Sequence, residues 1–358
     1  MVWSQAVGRV DFPTLGPLVD GWIEQHCRIP DGFKRQQPFR EYDWQYWCTA
    51  NHYRVREDAV FDPDDPPLSQ AFTYRRTDVV AAQKLGKGPW AACIVAVQAV
   101  GPELFVGWAK AGDVYDCADH GCSCGWVWEY QAGEPMGGRH PSPLIQVLAT
   151  SQDQVDNIWR PLTAMIRFRG SPLAGLLLPR EEFIRVAGAN DDDPDLDRID
   201  AVTSAATSRL GNPISAYVQD ETGIYTRRNG MVATAETMRR GAAGMQGRGF
   251  TTTNPWDPTE DSTAQRAFEA DMPDVFTFYS PPPSHLSFQH RGDRRRMLEH
   301  NYAGVSHVNV DAIMAECDEL MLENPASAER FFGNRVVQSG GSWMPADVWE
   351  KAWADAVA

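Results

Sequence analysis

From Ala71 the chain runs through AFTYRRTDVVAA, which ends in a β-rich apolar stretch. QKLGKGP then breaks the pattern, and WAACIVAVQAV resumes it at helical spacing. A strand, a glycine-containing turn and an apolar helix in that order constrain the fold more than any other feature of the chain. Further strand candidates are LIQVLATS (144–151), EFIRV (182–186), RIDAVTSA (198–205), PISAYVQDE (213–221) and RGFTTTN (248–254), with a helix predicted from Gln152 to Ile166. Strands alternating with helices predict an α/β fold with a mostly parallel central sheet flanked by helices.

The flanking regions read differently. Residues 1–60 read as helical, from LVDGWIEQHC and FREYDWQYWCTANHYRV, before the loop DPDDPPLS. Beyond about Phe288 the strand signal fades, and NVDAIMAECDELMLEN and ASAERFFGNRVV predict helices. The expected organisation is an N-terminal helical segment (1–60), a core (61–290) and a C-terminal helical linker (291–358). No internal repeat interrupts it.

The 358 residues are 43% hydrophobic and 23% charged, enough for a sizeable core. A net charge of -15 argues against a surface coated for nucleic-acid binding and favours a confined basic patch. Arg291, Arg294, Arg295 and Arg296 supply one candidate, either a solvated face or a contact to a phosphate backbone. The acids Asp191, Asp192, Asp193, Asp195, Asp197 and Asp200 read as a solvated loop. No apolar run approaches the ~20 residues that span a bilayer. The first residues lack the charged-then-apolar order of a secretory signal, so the expected location is a reducing cytoplasm, with no membrane partner.

Ala81-Ala82-Gln83-Lys84-Leu85-Gly86-Lys87-Gly88 matches most of G-x-x-x-x-G-K-[ST]. Such a turn aims backbone N–H groups at phosphates, backed by the positive end of the next helix. Lys87 is the expected contact to the β- and γ-phosphates. The turn departs from the motif twice: Ala81 replaces the first glycine, and Gly88 replaces the Ser/Thr that holds Mg²⁺. AYVQDE ends a second strand candidate in two acids. Ligands of parallel sheets bind beyond the strands' carboxyl ends. Asp220 would then stand near Mg²⁺ and Glu221 would polarise the attacking water. Thr253 and Asn254 close the next strand candidate and could sense the γ-phosphate. Gln45 has an amide suited to an adenine edge. Arg209 could act as an arginine finger on a neighbouring subunit's nucleotide.

Cys117, His120, Cys122 and Cys124 bunch within eight residues, in an insertion expected at about 112–140. In a reducing compartment this suggests structural zinc rather than disulfides. Gly121 and Gly125 would let the chain wrap closely around the metal. Cys27, Cys48, Cys93 and Cys317 fall on apolar helical faces and are expected in the core.

In sequence order, YDWQ, VVAAQKLGKGPW, LIQVLATSQDQ, TSRLGNPISAYVQDETG and TTTNPWDP resemble the large terminase subunits of tailed phages, particularly those of actinobacterial hosts. The resemblance runs from about Leu15 to Val337. It implies a RecA-like P-loop ATPase that binds ATP and Mg²⁺ and assembles as a homo-oligomeric ring on the portal. Working with a small terminase subunit in the host cytoplasm, such a motor drives double-stranded DNA into the procapsid. On the matching positions, residues 82–88 cradle the phosphates, with Lys84 the second basic residue of that loop. Asp220 would be the metal-associated acid, Glu221 the catalytic base, Thr253 and Asn254 the coupling motif, Gln45 the adenine contact and Arg209 the trans-acting finger. The C-terminal nuclease usual in the family has no matching strand pattern here, so no nuclease activity is expected. Two alternatives stand beside this reading, a DExx-type helicase-like ATPase and a nucleotide-binding scaffold that does not hydrolyse.

Overall fold

RTDVV and AYVQD are buried at every position, as strands covered on both faces must be. They are β1 (Arg76–Val80) and β10 (Ala216–Asp220) of the computed structural model, which describes residues 8–188, 190, 192–203 and 212–339. Six strands pair in parallel: β12 (Val275–Tyr279), β1, β11 (Arg248–Thr253), β10, β6 (Leu144–Leu148) and β9 (Arg198–Val202), in that order. β8 (Phe183–Val186) and β7 (Leu177–Pro179) extend the β9 edge in antiparallel fashion. The fold is the expected α/β class. β12 lies on the opposite edge with most of its residues partly exposed, and adds a strand to the expected set.

β10 alternates strictly between the two faces. Ala216 and Val218 enter a large apolar cluster, and Tyr217 enters a small one. The large cluster takes in α1 (Gly16–His26), α2 (Asp43–His52), α3 (Lys87–Val100) and α4 (Gln152–Arg167). The small cluster lies beneath α5 (Met231–Gly244). In the large one Trp90 meets Phe250 edge-on at 5.0 Å, and Trp44 packs on Trp90 at 5.2 Å. Fully burying aromatic rings of this size contributes roughly 1.5–3 kcal/mol or more each. These contacts fix α2 and α3 against the strands that carry the site. Cys27, Cys48, Cys93 and Cys317 are fully buried, as expected.

Strand β11 is tied down at its start by a buried ion pair. Arg248 Nη2 lies 3.0 Å from Glu103 Oε1, and Tyr53 Oη donates to Glu103 Oε2 at 2.6 Å. The arginine also sits over the Phe72 ring at 3.7 Å.

An insertion separates α3 from β6. β2 (Leu104–Trp108) pairs with β5 (Pro135–Gly138), and beyond them β3 (Val114–Asp116) pairs with β4 (Val127–Glu129). At the other end of the chain, α6 (Thr263–Ala270) leads into β12, and α7 (Arg291–Asn301), α8 (Val310–Glu323) and α9 (Pro325–Phe331) follow it.

The charged runs are more committed than their sequence suggests. Arg294 is buried against Asp318 at 2.6 Å, Arg291 reaches the same carboxylate at 3.1 Å, and Arg295 and Arg296 pair with Glu299 and Asp293. Arg294 therefore holds α7 to α8 from a buried position, whereas Arg291, Arg295 and Arg296 are exposed, as a solvated face requires. In the acidic run, Asp197 and Asp200 are buried, accepting from Ser142 and pairing with Arg198. For these two the expectation of a solvated loop is corrected: the chain is there entering β9 and joining the sheet.

Candidate nucleotide site

Backbone conformation shapes the turn after β1. Lys84 and Gly86 both have positive φ, 65° and 82°. Glycine takes that region freely, whereas a lysine there stores strain of order 1 kcal/mol. The turn starts α3 at Lys87, and the positive end of a 14-residue helix faces its mouth. Ala82 and Leu85 are buried and anchor the turn from below. From outside, Tyr302 Oη donates to Gln83 O at 2.9 Å, and Gln83 N–H donates to Phe331 O at 2.8 Å. His307 Nε2 lies 2.9 Å from Lys84 O. A carbonyl only accepts, so the proton is on Nε2, and Nδ1 accepts from Tyr42 Oη at 2.8 Å. The C-terminal segment, expected as a linker, is thus bonded directly to the glycine turn.

Lys87 is buried, and its ammonium has three acceptors for three protons. These are Ala81 O and Ala82 O, both at 2.9 Å, and Asn254 Oδ1 at 2.7 Å. Asn254 lies one residue past β11, and its Nδ2 donates to the two oxygens of Glu221 at 3.2 and 3.1 Å. An ammonium only donates and a carboxylate only accepts, so the amide can face only this way. β11 lies between β1 and β10, with Val80 opposite Thr253 and Asp220 opposite Thr252. The lysine of the first strand–turn–helix and the acids ending β10 therefore converge at one sheet edge, linked by an asparagine.

The two acids are held differently. Asp220 Oδ1 accepts from Thr252 Oγ1 at 2.5 Å, and the Asn157 side chain on α4 stands near enough to lower its pKa. Burial raises the Asp220 pKa, against the Thr252 bond and the Lys87 charge. Glu221 has left-handed backbone, φ 59°, which turns its side chain out of the strand direction towards Asn254. Burial pushes its carboxyl up to about 7, with Lys87 opposing and Asp220 adding to the rise. Burial lowers the Lys87 pKa, against the pull of Glu221 and Asp220. Thr253 Oγ1 accepts from Gly223 N–H at 2.8 Å, joining the end of β11 to the loop after Glu221. A cavity of about 80 Å³ opens beside Glu221 and Asn254, lined also by Trp256 and Arg330. That is room for a few waters next to a carboxylate poised near neutrality.

Gly88 has a steric explanation. A Cβ there would lie 2.5 Å from the backbone oxygen of Asn157 and 3.3 Å from its carbonyl carbon. Helix α4 thus occupies the space that a Ser or Thr would need. Asn157 itself is invisible to sequence reasoning. It lies mid-helix with no motif around it, and only the packing of α4 on α3 brings it to Asp220.

The other expected site residues divide. Gln45 is fully buried; its Oε1 accepts from Tyr42 N–H at 2.9 Å, closing a capping box on α2. Its Nε2 has no hydrogen-bond partner among the described residues, and a Cβ at Gly86 would lie 3.8 Å from it. Gln45 therefore borders the phosphate turn. Arg209 falls outside the described residues.

In the insertion, the three cysteines converge as expected but with another histidine. His26, the last residue of α1, has Nε2 3.5 Å from Cys117 Sγ, 3.5 Å from Cys122 Sγ and 3.4 Å from Cys124 Sγ. His120 instead stacks on Tyr115 at 4.4 Å. The one-turn helix Cys117–His120 carries its last side chain away from its first, so His120 is not the fourth member of the cluster. Proximity in sequence favoured His120; packing of α1 against the insertion supplies His26 from 91 residues away.

A buried lysine in a glycine turn after a central parallel strand, facing a paired acid two strands away, is the arrangement of a RecA-like α/β fold. No protein-family model matches this sequence, and no curated protein matches it either. Solved structures do match. The large terminase of bacteriophage HK97 aligns with a TM-score of 0.60 at 16% identity, over 94% of this chain and 58% of that one. The ATPase domain of the Thermus phage P74-26 large terminase gives 0.41 at 12% identity, over 75% and 93%. The large terminase of another thermophilic bacteriophage, in complex with ADP, gives 0.37 at 11%, over 77% and 51%. The chain shares the fold of the HK97 large terminase and spans 58% of that protein's length.

Proposed function

We propose that this chain hydrolyses ATP as the motor of viral DNA packaging, driving double-stranded DNA into a procapsid. The observation that carries the reading is the Lys87–Asn254–Glu221 chain of charge-assisted hydrogen bonds at the carboxyl edge of the sheet. In this reading the phosphates of ATP lie over residues 82–88, and Lys87 exchanges its carbonyl partners for phosphate oxygens. Glu221, ionised above about pH 7, accepts a proton from water held in the adjoining cavity. Asn254 touches both groups, so a change in the partners of Lys87 alters the hold on Glu221. Gln45 offers its free N–H to the base of the nucleotide.

Mg²⁺ would supply charge neutralisation on the phosphates. The residues present fit an ion held through water. Asp220 offers a buried carboxylate beside the Thr252 hydroxyl, Asn157 offers an amide, and Gly88 offers no hydroxyl. Arg209 would act across an interface in a homo-oligomeric ring, with the portal and a small terminase subunit as further partners in the host cytoplasm. Among the described residues no helix is long and apolar enough to cross a membrane.

The test is ATP turnover with and without double-stranded DNA, in wild type and Glu221→Gln. The variant should bind nucleotide and lose about 10²–10⁴-fold in turnover. Equal rates would remove Glu221 from its role, and turnover indifferent to DNA would remove the motor.

A further inference from the structure

The insertion and the N-terminal helix meet at four donor atoms that the nucleotide chemistry does not use. His26 Nε2 and the Sγ atoms of Cys117, Cys122 and Cys124 all lie within 4.8 Å of one another. We propose that these four residues bind one zinc ion in a closed, structural Cys₃His site that staples α1 to the insertion.

The spacing fits a single ion. Bonds of ~2.3 Å to sulfur and ~2.0–2.1 Å to nitrogen at tetrahedral angles give S···N edges of about 3.6 Å. The observed edges are 3.4, 3.5 and 3.5 Å. The imidazole is also aimed correctly. Its Nδ1 lies 2.8 Å from the backbone oxygen of Trp22, which can only accept, so the proton is on Nδ1 and the Nε2 lone pair faces the three sulfurs. Trp22 stacks on the ring at 4.2 Å and Trp126 meets it edge-on at 6.1 Å, which holds its orientation.

The sulfur side is equally built. Trp126 N–H donates to Cys124 Sγ at 3.4 Å, a bond that supports a thiolate. Cys122 N–H donates to Cys117 O at 3.0 Å, and Cys117 N–H donates to Trp126 O at 3.1 Å, closing a short knuckle. Gly121 and Gly125 turn it with φ of 80° and 75°, the left-handed region the wrap requires. Cys117, Cys122 and His26 are buried and Cys124 is half-buried, so the site is largely shielded from water. With all four positions filled by protein there is no open coordination position, which excludes a catalytic zinc.

The mechanical consequence follows from α1's neighbours. α1 packs on both α2, which carries Gln45, and α3, which begins at Lys87. The ion would fasten the insertion to the helices that frame the nucleotide turn.

The test is elemental analysis of the purified full chain, with the metal alone as probe. Wild type should hold one zinc equivalent after washing with a weak chelator. His120→Ala should keep that equivalent, whereas His26→Ala should lose it or bind at least ten-fold more weakly. Cobalt-substituted wild type should show the intense visible bands of a tetrahedral thiolate site. His26→Cys should retain metal as a Cys₄ site with a shifted spectrum, which separates lost ligation from lost folding. No zinc in wild type, or loss of zinc in His120→Ala but not in His26→Ala, would overturn the proposal. The glycine turn and its acids lie outside this cluster, so failure here would leave the ATPase reading standing.

Discussion

Restoring the missing hydroxyl of the glycine turn should harm this protein. In Gly88→Ser the new Cβ would meet Asn157 O at 2.5 Å, whereas ordinary contact begins at 3.4 Å. A gap of roughly 0.9 Å must open between α3 and α4, and overpacking of that kind costs about 1–3 kcal/mol. The Cβ is fixed by the α3 backbone and Asn157 O belongs to the α4 backbone, so no side-chain rotation relieves the clash. At about 2 °C per kcal/mol for a domain of this size, the midpoint of thermal unfolding should fall by roughly 2–6 °C. The displacement also moves Asn157 relative to Asp220, and misplacement by ~1 Å at a reacting centre can cost about 10²-fold. The assay is paired: melting by calorimetry, and nucleotide affinity across a Mg²⁺ titration. Gly88→Ser should melt lower and gain no Mg²⁺-dependent affinity. An unchanged melting midpoint with tighter Mg²⁺-dependent binding would refute the steric argument and return Gly88 to an incidental loss.

Three further outcomes are expected. Glu221 must be ionised to accept a proton, and its pKa is raised to about 7, so turnover should climb as pH rises through that value. Asn254→Asp puts a second carboxylate against Glu221, and like charge raises a carboxyl pKa, so the rising limb should move up by about one unit or more; a limb that stays in place would deny Asn254 its contact with the base. Glu103→Gln leaves the Arg248 charge buried without its counter-ion and should cost about 3–5 kcal/mol, read as a lower urea midpoint; a change under about 1 kcal/mol would show the arginine satisfied without a carboxylate, by neutral acceptors such as His52 O and the residue 103 backbone oxygen.

What is legible in the sequence is whatever repeats locally or sits at a strand end. RTDVV, AYVQD and RGFTTT carry continuous apolar or β-branched runs because both faces of a central parallel strand are covered, and each lies within a few residues of its expected span. The glycine turn is legible because positive φ at Gly86 and the start of α3 demand particular residue types at fixed offsets. β12 lies outside the expected set although VFTFY is composed of strand-forming residues throughout.

By itself the sequence determined the fold class, the position of Lys87 after β1 and the paired acids after β10, because backbone sterics and burial act over a few residues. Tertiary structure decided which distant groups share an atom's reach. It placed Asn254 between Lys87 and Glu221, set the Asn157 backbone against Gly88, and exchanged His120 for His26. The physical reason is common to all three. Sheet order and helix packing set these contacts, and neither leaves a mark on the residues immediately around the side chain that makes them.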